Sequence, residues 1–334
     1  MKPEPKDFLS LTKTLFIEET DHELPEHVRT RDMRYTDFKL IERGGVCLIQ
    51  SCKDNYLGRI VCHKSLRKEF VNSKEERVRF LREARVTAML QHPNTIPVYD
   101  ISRDSRDHYF FTMKLLHGYT LHGVFEKLKQ NDKEIVKEFQ LNRLLGAFIQ
   151  IANALDYAHE HGVIHRDIKP MNIAIGAYGE VQLIDWGLAK VWHKDASKTE
   201  IEKKGEIKST HTHTDFRLTH AGQLKATPLY MSPEQVNNDV NLDSRSDIYS
   251  LGTVLYEILT LETMIEGTTI NELMDNITNG RFSTPSEKAP GRTIPEEIEN
   301  ICLKCVQTDP DKRYQKVSDL IDDIREFREE RLHS

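Results

Sequence analysis

The pattern of apolar and polar residues changes once along this chain, near residue 118. Before that point, short apolar runs alternate with polar and turn residues, which is typical of strands. The runs lie at residues 38–41, 46–49, 60–61, 98–101 and 109–113. One segment among them, 74–91, is charged with apolar residues at helical spacing, and His92-Pro93 ends it. The pattern predicts a small, mainly β unit that carries one helix.

After residue 118 the apolar residues recur with the period of an α-helix. Residues 141–161 form a long segment of this kind, with one apolar face that contains Leu144, Phe148, Ile151 and Leu155. Residues 247–330 are also predicted to be mainly helical, with a buried helix that opens at Asp247. The second part of the chain is therefore expected to be a helical unit.

The first 34 residues differ from both parts. Charge is scattered there, and one short apolar stripe runs from Phe8 to Phe16 near helical spacing. Two interpretations stay open: a terminal helix that packs on the domain or frays, and a docking segment for a regulator. We treat residues 1–34 as an N-terminal extension.

Composition describes an ordinary soluble globular protein of 334 residues, 38% hydrophobic and 30% charged. The formal net charge of −6 gives no basic footprint, so nucleic acid is not an expected partner. Five cysteines form no disulfide framework, which favours a reducing cytoplasm, and Cys302 and Cys305 are expected in a buried helix rather than a zinc site. Apolar stretches fall short of the roughly 18–20 residues of a membrane span, so no span is expected in this chain.

The candidate chemistry lies in His165-Arg166-Asp167-Ile168-Lys169-Pro170-Met171-Asn172 and in Asp185-Trp186-Gly187, which follows a short apolar hairpin pattern. Asp167 is placed to accept a proton from an incoming hydroxyl group. The amide oxygen of Asn172 and the carboxylate of Asp185 can hold a divalent metal on nucleotide phosphates, and Lys169 adds positive charge. Phosphoryl transfer requires little else, because its catalysis consists mostly of positioning and charge neutralisation.

A second pair of residues, in the first part of the chain, fits the same chemistry. Lys64 ends the third predicted strand, and Glu83 follows nineteen residues later on the charged helix. Alone, Glu83 would be one more solvated charge on that helix. The order strand, lysine, helix, glutamate, ahead of His165-Arg166-Asp167, favours an ion pair instead.

Together these segments resemble the bacterial eukaryotic-like serine/threonine protein kinase family, over roughly residues 35–330. The resemblance implies an α+β, two-lobed protein kinase fold. A small β-rich N-lobe with one regulatory helix would occupy 35–113, followed by a hinge at 114–117 and a large, mainly helical C-lobe at 118–330. The C-lobe would contain an activation segment over 185–234.

The resemblance also implies a role for each matching residue, with ATP and Mg²⁺ as ligands and Mn²⁺ as an alternative metal. Asp167 would deprotonate the substrate hydroxyl, Lys169 would neutralise charge on the γ-phosphate, and Thr227 would bond both of them. Asn172 and Asp185 would bind the metal. Contacts to ATP are expected from Lys64, Glu83, Gly44, Gly45, Ile41, Ile49, Met113, Lys114 and Leu116. Structural roles, including a Glu234–Arg313 ion pair and a brace from Asp247 to the backbone before Asp167, fall to His165, Arg166, Trp186, Gly187, Glu234, Asp247 and Arg313.

The phosphate-covering loop departs from the family pattern G-x-G-x-x-G, since it reads Glu42-Arg43-Gly44-Gly45-Val46-Cys47. Only Gly44 stands at a glycine position of the pattern, where a missing Cβ lets backbone N–H groups approach phosphate oxygens. We hypothesise that ATP binds more weakly than in relatives with the full loop. The same departure motivates an alternative function, a nucleotide-binding pseudokinase or scaffold.

The middle of the activation segment, 193–222, is polar and rich in Lys, Thr and His. It is either a flexible solvated loop or a site of autophosphorylation. Arg166 favours the second interpretation, because an arginine directly before the catalytic aspartate commonly pairs with a phosphate that orders the loop. The candidate acceptors are Thr219, Thr214 and Thr212.

An active serine/threonine protein kinase fits the sequence best. Lys169, two residues after Asp167, follows the serine/threonine pattern, so proteins with Ser or Thr acceptors are the expected partners. A small-molecule kinase generally lacks the Ser232-Pro233-Glu234 segment and the Thr227 element, both of which stand in this chain. The sequence leaves open the protein substrate, the activating signal, whether two copies pair through their N-lobes, and whether the chain is a fragment of a membrane receptor kinase.

Overall fold

The computed structural model describes residues 34–106, 108–191, 227–239 and 242–330. The chain divides into two compact units. Of the described residues, the first unit contains those up to Val124 together with Met171–Leu188, and the second contains Phe125–Pro170 together with those from Ala189 onward. The acceptors Thr212, Thr214 and Thr219 and nearly all of the N-terminal extension lie outside the described residues.

Strands dominate the first part of the described chain and helices the second, which confirms the α+β fold class. The strands are β1 (Tyr35–Arg43), β2 (Cys47–Asp54), β3 (Arg59–Leu66), β4 (Val98–Arg103), β5 (Tyr109–Met113), β6 (Gly118–Thr120), β7 (Val163–Ile164), β8 (Ile173–Gly176), β9 (Val181–Leu183) and β10 (Lys190–Val191). The helices are α1 (Lys74–Met89), α2 (Leu121–Lys129), α3 (Lys133–Glu138), α4 (Leu141–Glu160), α5 (Pro233–Val236), α6 (Arg245–Thr260), α7 (Ile270–Thr278), α8 (Pro285–Lys288), α9 (Glu296–Cys305) and α10 (Val317–Glu330). None of the helices in the described ranges has the length and apolar character needed to cross a membrane.

The first unit is built on a five-stranded antiparallel sheet with the order β1-β2-β3-β5-β4. The register places Lys64 of β3 between Ile49 of β2 and Phe111 of β5. Facing residues on neighbouring strands share one side of a sheet, so these three side chains point to the same face. The sequence pattern predicted that Lys64 ends this strand. In the structure, β3 continues to Leu66, so Lys64 lies inside the strand.

Helix α1 begins where the sequence offers a cap, since the Ser73 hydroxyl accepts a hydrogen bond from the Glu76 N–H at 3.3 Å. One face of the helix packs against the sheet in a cluster of Leu66, Phe80, Ala84 and Phe111. Glu83 lies on this buried face and exposes 8% of its surface, although charge dominates the helix. The apolar spacing of α1 therefore carries one carboxylate into the interior.

A second sheet of the first unit, with the strand order β6-β8-β9, carries the metal-ligand candidates. Asn172 immediately precedes β8, and Asp185 follows β9 after one intervening residue. The Ile184 N–H donates to the Asn172 carbonyl oxygen at 2.9 Å, which ties the two ends of the hairpin together. The hairpin thus presents an amide and a carboxylate at neighbouring strand ends.

The second unit is organised around α6, which is buried from Ser246 to Thr260. Helix α6 packs against α4 and α9, and α4 packs in turn against α10. Gly252 allows the close approach to α9, because a Cβ at this position would lie 2.5 Å from the Cβ of Cys305. Cys302 and Cys305 are fully buried on α9, which confirms the expectation that they belong to a helix core.

Candidate active site

The first unit buries a lysine–glutamate ion pair beside its sheet. Lys64 Nζ on β3 lies 2.5 Å from Glu83 Oε1 on α1, and the two side chains expose 11% and 10% of their surface. Burying a charge is costly unless the charge is paired, so the helix must dock on the sheet for these two groups to meet. The pair therefore links the position of α1 to the charge distribution of this site.

A second carboxylate, Asp185, adds to the field around Lys64. Burial on its own would lower the pKa of this lysine, but the negative charges of Glu83 and Asp185 raise the pKa of Lys64 above its ordinary value. The ammonium group therefore stays charged throughout the physiological pH range. A permanently charged ammonium is suited to neutralising phosphate oxygens.

Gly187 lies beside two carboxylates of the first unit. A Cβ at Gly187 would lie 3.1 Å from Asp185 Oδ1 and 3.6 Å from Glu83 Oε2. The Gly187 N–H donates to Asp185 Oδ1 at 3.4 Å. Asp185 itself has a φ of 65°, in the left-handed region that short polar residues tolerate better than most others do. The absence of a side chain at position 187 thus leaves room for both carboxylates.

Asn172 and Asp185 supply the oxygen ligands that Mg²⁺ prefers. Asn172 is buried, with 5% of its surface exposed, whereas Asp185 is exposed to solvent. Between Asp185 and Gly187, the side chain of Trp186 is fully buried, which anchors this turn of the chain. Mg²⁺ commonly binds through one or two protein groups plus substrate phosphates, so this donor set fits a metal held jointly with a nucleotide.

The candidates in the loop between β1 and β2 differ in exposure. Glu42 and Gly45 are exposed, so the charge of Glu42 stays hydrated. Cys47 is partly buried, and burial raises the pKa of its thiol to about 12, which keeps the thiol neutral at physiological pH. Three residues of this region that were predicted to contact ATP are partly buried: Ile41, Gly44 and Ile49.

The hinge candidates follow the end of β5. Met113 ends this strand and packs against the cluster between α1 and the sheet. The Lys114 N–H donates to the Pro97 carbonyl oxygen at 3.0 Å, and Lys114 Nζ lies 3.6 Å from Glu180 Oε1. Neither contact uses the Lys114 carbonyl or the Leu116 N–H. By the same family resemblance, these two backbone groups are expected to bind the edge of the adenine base.

The second unit holds the candidate proton acceptor in a short ion pair. Lys169 Nζ donates to both carboxylate oxygens of Asp167, at 2.9 and 2.7 Å. The Asp167 N–H donates to His165 Nδ1 at 3.2 Å, and Asp167 exposes 8% of its surface. A charge-assisted contact to both oxygens fixes the orientation of this carboxylate.

Asp247 of α6 holds the backbone that leads into Asp167. Its two carboxylate oxygens accept hydrogen bonds from the N–H groups of His165 and Arg166, each at 2.8 Å. Asp247 Oδ2 also lies 2.8 Å from His159 Nε2 of α4. Burial alone would raise the pKa of Asp247, but its hydrogen bonds to His159 and to the backbone N–H of Arg166 bring the pKa below its ordinary value. Arg166 has a φ of 69°, a costly conformation that persists only where surrounding contacts impose it.

The Glu234–Arg313 ion pair is formed within the second unit. Arg313 Nη1 and Nη2 lie 2.7 and 2.9 Å from the two oxygens of Glu234, and the Ser246 hydroxyl donates to Glu234 at 2.6 Å. The Arg313 side chain is fully buried. Its remaining hydrogen bonds go to the carbonyl oxygens of Arg245, Gln307 and Thr308. This saturated network is structural, since removing one partner would leave a buried charge.

Some site residues fall outside the described contacts, and others were not foreseen. Thr227 begins a 3₁₀ turn, but nothing of its side chain is described, so its predicted contacts stay predictions. Two unforeseen residues support the backbone before Asp167: His159, which contacts Asp247, and Gln235, whose Nε2 donates to the Arg166 carbonyl oxygen at 2.8 Å. For His159, the sequence predicted a place in the last turn of the helix 141–161 but offered no signal of its contact to Asp247. For Gln235 the sequence offered none.

Comparisons with known proteins agree with this arrangement. A family model described as the protein kinase domain matches residues 35–323. A serine/threonine-protein kinase PknD of Protochlamydia amoebophila is 35% identical over 301 residues, which cover 89% of this chain and 30% of the relative. The PknD proteins of Chlamydia felis and Chlamydia muridarum are 33% and 34% identical, over 88% and 86% of this chain and 31% of each relative.

The chain belongs to the protein kinase domain family, because the family model covers most of its length. The resemblance to protein kinases seen in the sequence is confirmed. The relatives are named serine/threonine-protein kinases, in line with the class that the sequence suggested. The chain spans about 30% of the length of these relatives. The roles of its individual residues stay predictions.

Proposed function

We propose that this chain is an active serine/threonine protein kinase, which transfers the γ-phosphate of ATP to Ser and Thr hydroxyl groups of proteins. The observation that carries the proposal is the formed Lys64–Glu83 ion pair with the charge of Asp185 beside it. A scaffold that only binds nucleotide has little need of a buried charge pair, which destabilises a fold relative to apolar residues. Similarity to serine/threonine kinases likewise favours an enzyme over the pseudokinase alternative.

In the proposed reaction, the substrate hydroxyl oxygen attacks the γ-phosphorus of ATP. The bond from phosphorus to the β–γ bridging oxygen breaks, and ADP leaves. Asp167 accepts the hydroxyl proton, while Lys169 compensates the negative charge of the transferred group. Lys64 holds the α- and β-phosphates, and its own position is fixed by Glu83.

Asn172 and Asp185 would hold Mg²⁺ together with the phosphates of ATP, and Mn²⁺ accepts the same oxygen ligands. When bound, the metal ion neutralises charge on the β- and γ-phosphate oxygens. The contribution of the chain is the hairpin that ties the two ligand positions together through the hydrogen bond between Ile184 and Asn172.

Transfer of labelled phosphate from ATP to a generic protein tests this proposal. The wild-type chain should label Ser and Thr, whereas Asp167→Asn, which keeps the size of the side chain but accepts no proton, should lose about 10²–10⁴-fold in rate. Asp322→Asn changes an α10 carboxylate with 73% side-chain exposure and should keep the wild-type rate. Equal labelling by the wild type and Asp167→Asn, or none by either, would point to a scaffold.

We further propose that the kinase phosphorylates its own activation segment, at Thr219, Thr214 or Thr212. Arg166 would pair with the phosphate group, and its backbone is already held by Asp247. Mass spectrometry after incubation with ATP and Mg²⁺ should find phosphate in the peptide that contains residues 193–222. An unmodified peptide from protein that is active on other substrates would refute this step.

Protein substrates are the partners that this function requires, and the net charge of −6 supports no role for nucleic acid. We also propose a cytoplasmic location. All five cysteines lie in the described part of the chain and are free, as is usual in a reducing compartment. Pairing of two copies through their first units stays an open prediction.

A further inference from the structure

The phosphate-covering loop is held by one side chain, Arg67, whose role the sequence did not indicate. Arg67 directly follows β3, and its Nη1 donates to the carbonyl oxygens of Gly44 and Gly45 at 3.2 and 2.8 Å. Its backbone N–H donates to the Val46 carbonyl oxygen at 2.9 Å. Three successive carbonyl groups of the loop therefore bind a single residue.

The direction of these carbonyl groups fixes the direction of the loop N–H groups. In a trans peptide, the C=O of one residue and the N–H of the next point in opposite directions, and the peptide bonds of this loop are trans. Because the carbonyls of Gly44 and Gly45 both point at Arg67 Nη1, the N–H groups of Gly45 and Val46 point away from it. Successive N–H groups turned to one side form a concavity that binds anions such as phosphate.

Arg67 is itself fixed by its neighbours. Its Nη2 donates to Glu69 Oε1 at 3.0 Å, and the same carboxylate oxygen lies 3.7 Å from Arg43 Nη2. The hydrogen bond from Arg67 holds the pKa of Glu69 below its ordinary value, so the carboxylate stays charged. A planar guanidinium can address two carbonyls and a carboxylate at once, which a flexible lysine ammonium does less rigidly.

These contacts account for a loop that keeps its shape with one glycine of the family pattern. Glycine at position 44 avoids a tight contact, because a Cβ there would lie 3.3 Å from the Cys47 carbonyl oxygen, which would have to shift by a few tenths of an ångström. Glu42 and Cys47 occupy the other two glycine positions and give the backbone less conformational freedom. Contacts from outside the loop, made by Arg67, orient the peptide planes instead.

We propose that Arg67 is a positioning residue for phosphate recognition, which turns the N–H groups of Gly45 and Val46 toward the phosphates of ATP. The proposal rests on the proposed kinase function for the identity of the ligand. It implies that loss of Arg67 weakens binding of the phosphate part of the nucleotide and leaves binding of the nucleoside part unchanged.

Affinities for ATP and for adenosine, measured by calorimetry with Mg²⁺ present, separate this role from a structural one. Arg67→Met keeps the length of the side chain but removes its hydrogen bonds, so the ATP affinity should fall about tenfold while the adenosine affinity stays the same. The KM for ATP should rise by the same factor, with kcat at saturating ATP changed by less than about threefold. The ATP affinity of Arg67→Lys should lie between those of the wild type and Arg67→Met.

Arg79→Met is the matched control. It removes an α1 arginine that pairs with Glu76 at 3.5 Å, and both affinities should match the wild type. Unchanged ATP affinity in Arg67→Met would overturn the proposal. Equal losses for ATP and adenosine would also overturn it, since they would show that Arg67 merely supports the fold. Failure of the kinase function would be a separate result, in which the wild type transfers no phosphate. The ratio of the ATP affinity to the adenosine affinity in Arg67→Met would still decide the role of Arg67.

Discussion

Two lysine–carboxylate pairs of similar burial serve the two units in different ways. The side chains of Lys64 and Glu83 expose 11% and 10% of their surface, and those of Lys169 and Asp167 expose 13% and 9%. The first pair joins residues nineteen positions apart, on a strand and a helix, whereas the second joins residues two positions apart in one loop. The first therefore depends on tertiary packing and the second on local geometry. A movement of α1 would break the first pair and spare the second, so control of activity is expected to act on Lys64 and Glu83.

The largest effect is expected from removing the charge at Lys64. Lys64→Met should lower kcat/KM for ATP by about 10³-fold, because a fixed ammonium neutralises the negative charge of the α- and β-phosphates in the transition state. Initial rates of phosphate transfer measure the loss, and circular dichroism checks that the fold is intact. Lys39→Met, at an exposed position of β1, is the control and should keep the wild-type rate. Wild-type kinetics in Lys64→Met would remove this lysine from the mechanism.

A third buried pair, Glu234–Arg313, sharpens the comparison because it joins distant residues and has no catalytic group. Arg313→Met should lower the free energy of unfolding by about 3–5 kcal/mol, since it leaves the Glu234 carboxylate buried without its partner. Urea denaturation measures this change. Arg281→Met breaks a pair whose side chains are 63% and 56% exposed, and it should cost less than about 1 kcal/mol. Similar losses in the two variants would contradict the distinction.

Breaking the first pair from the side of the helix should have a smaller effect. Glu83→Gln keeps the shape of the side chain but removes its charge, so kcat should fall about 10- to 100-fold, in line with the loss of a charged hydrogen bond. Asp185 still attracts the Lys64 ammonium, which is why the loss should be smaller than in Lys64→Met. Glu75→Gln, at an exposed position of α1, should leave kcat unchanged. A fully active Glu83→Gln would show that the pair does not control activity.

The smallest effect concerns His63, the neighbour of Lys64 on β3. Its ring lies 5.1 Å from that of Phe38 and 4.6 Å from that of Phe110, and burial lowers the pKa of His63 from 6.5 to about 4. The unfolded chain takes up this proton at a higher pH than the folded chain does. The contribution of neutral His63 to the free energy of unfolding should therefore be fully present above the pKa of the unfolded chain. It should fall as the pH drops toward the pKa of the folded chain, by at most about 1.4 kcal/mol per pH unit.

His63→Phe tests this pH dependence, because phenylalanine fills the same aromatic site and does not titrate. Free energies of unfolding at about pH 5 and about pH 7 should differ less in the variant than in the wild type. An unchanged difference would assign the acid sensitivity to other groups.

Elements with strong local patterns were predictable from the sequence. The boundaries of α1 and α4 were predicted to within a few residues, because apolar spacing and the proline after α1 are local signals. Strand β3 was predicted as far as Lys64, but its continuation to Leu66 depends on pairing with its neighbours, which the local pattern does not encode.

The contacts of the candidate site also divide into those that the sequence predicted and those that it did not. The Lys64–Glu83 and Glu234–Arg313 pairs were expected because the family order of residues marks them. The contacts of His159 to Asp247 and of Arg67 to Gly45 were not expected, since single polar residues far apart in sequence give no signal of meeting. Backbone carbonyls, such as those that Arg67 binds, leave no mark in the sequence at all.

Lys64 and Asp167 are proposed to act in the same chemical step, and a double-mutant cycle on the rate of phosphate transfer tests this most directly. Groups that act as a unit are strongly non-additive, because losing one removes most of the benefit of the other. We predict that Lys64→Met combined with Asp167→Asn is about as slow as the slower single variant. Two losses that multiply in the double variant would show that the residues act independently, and this result would contradict the proposed mechanism.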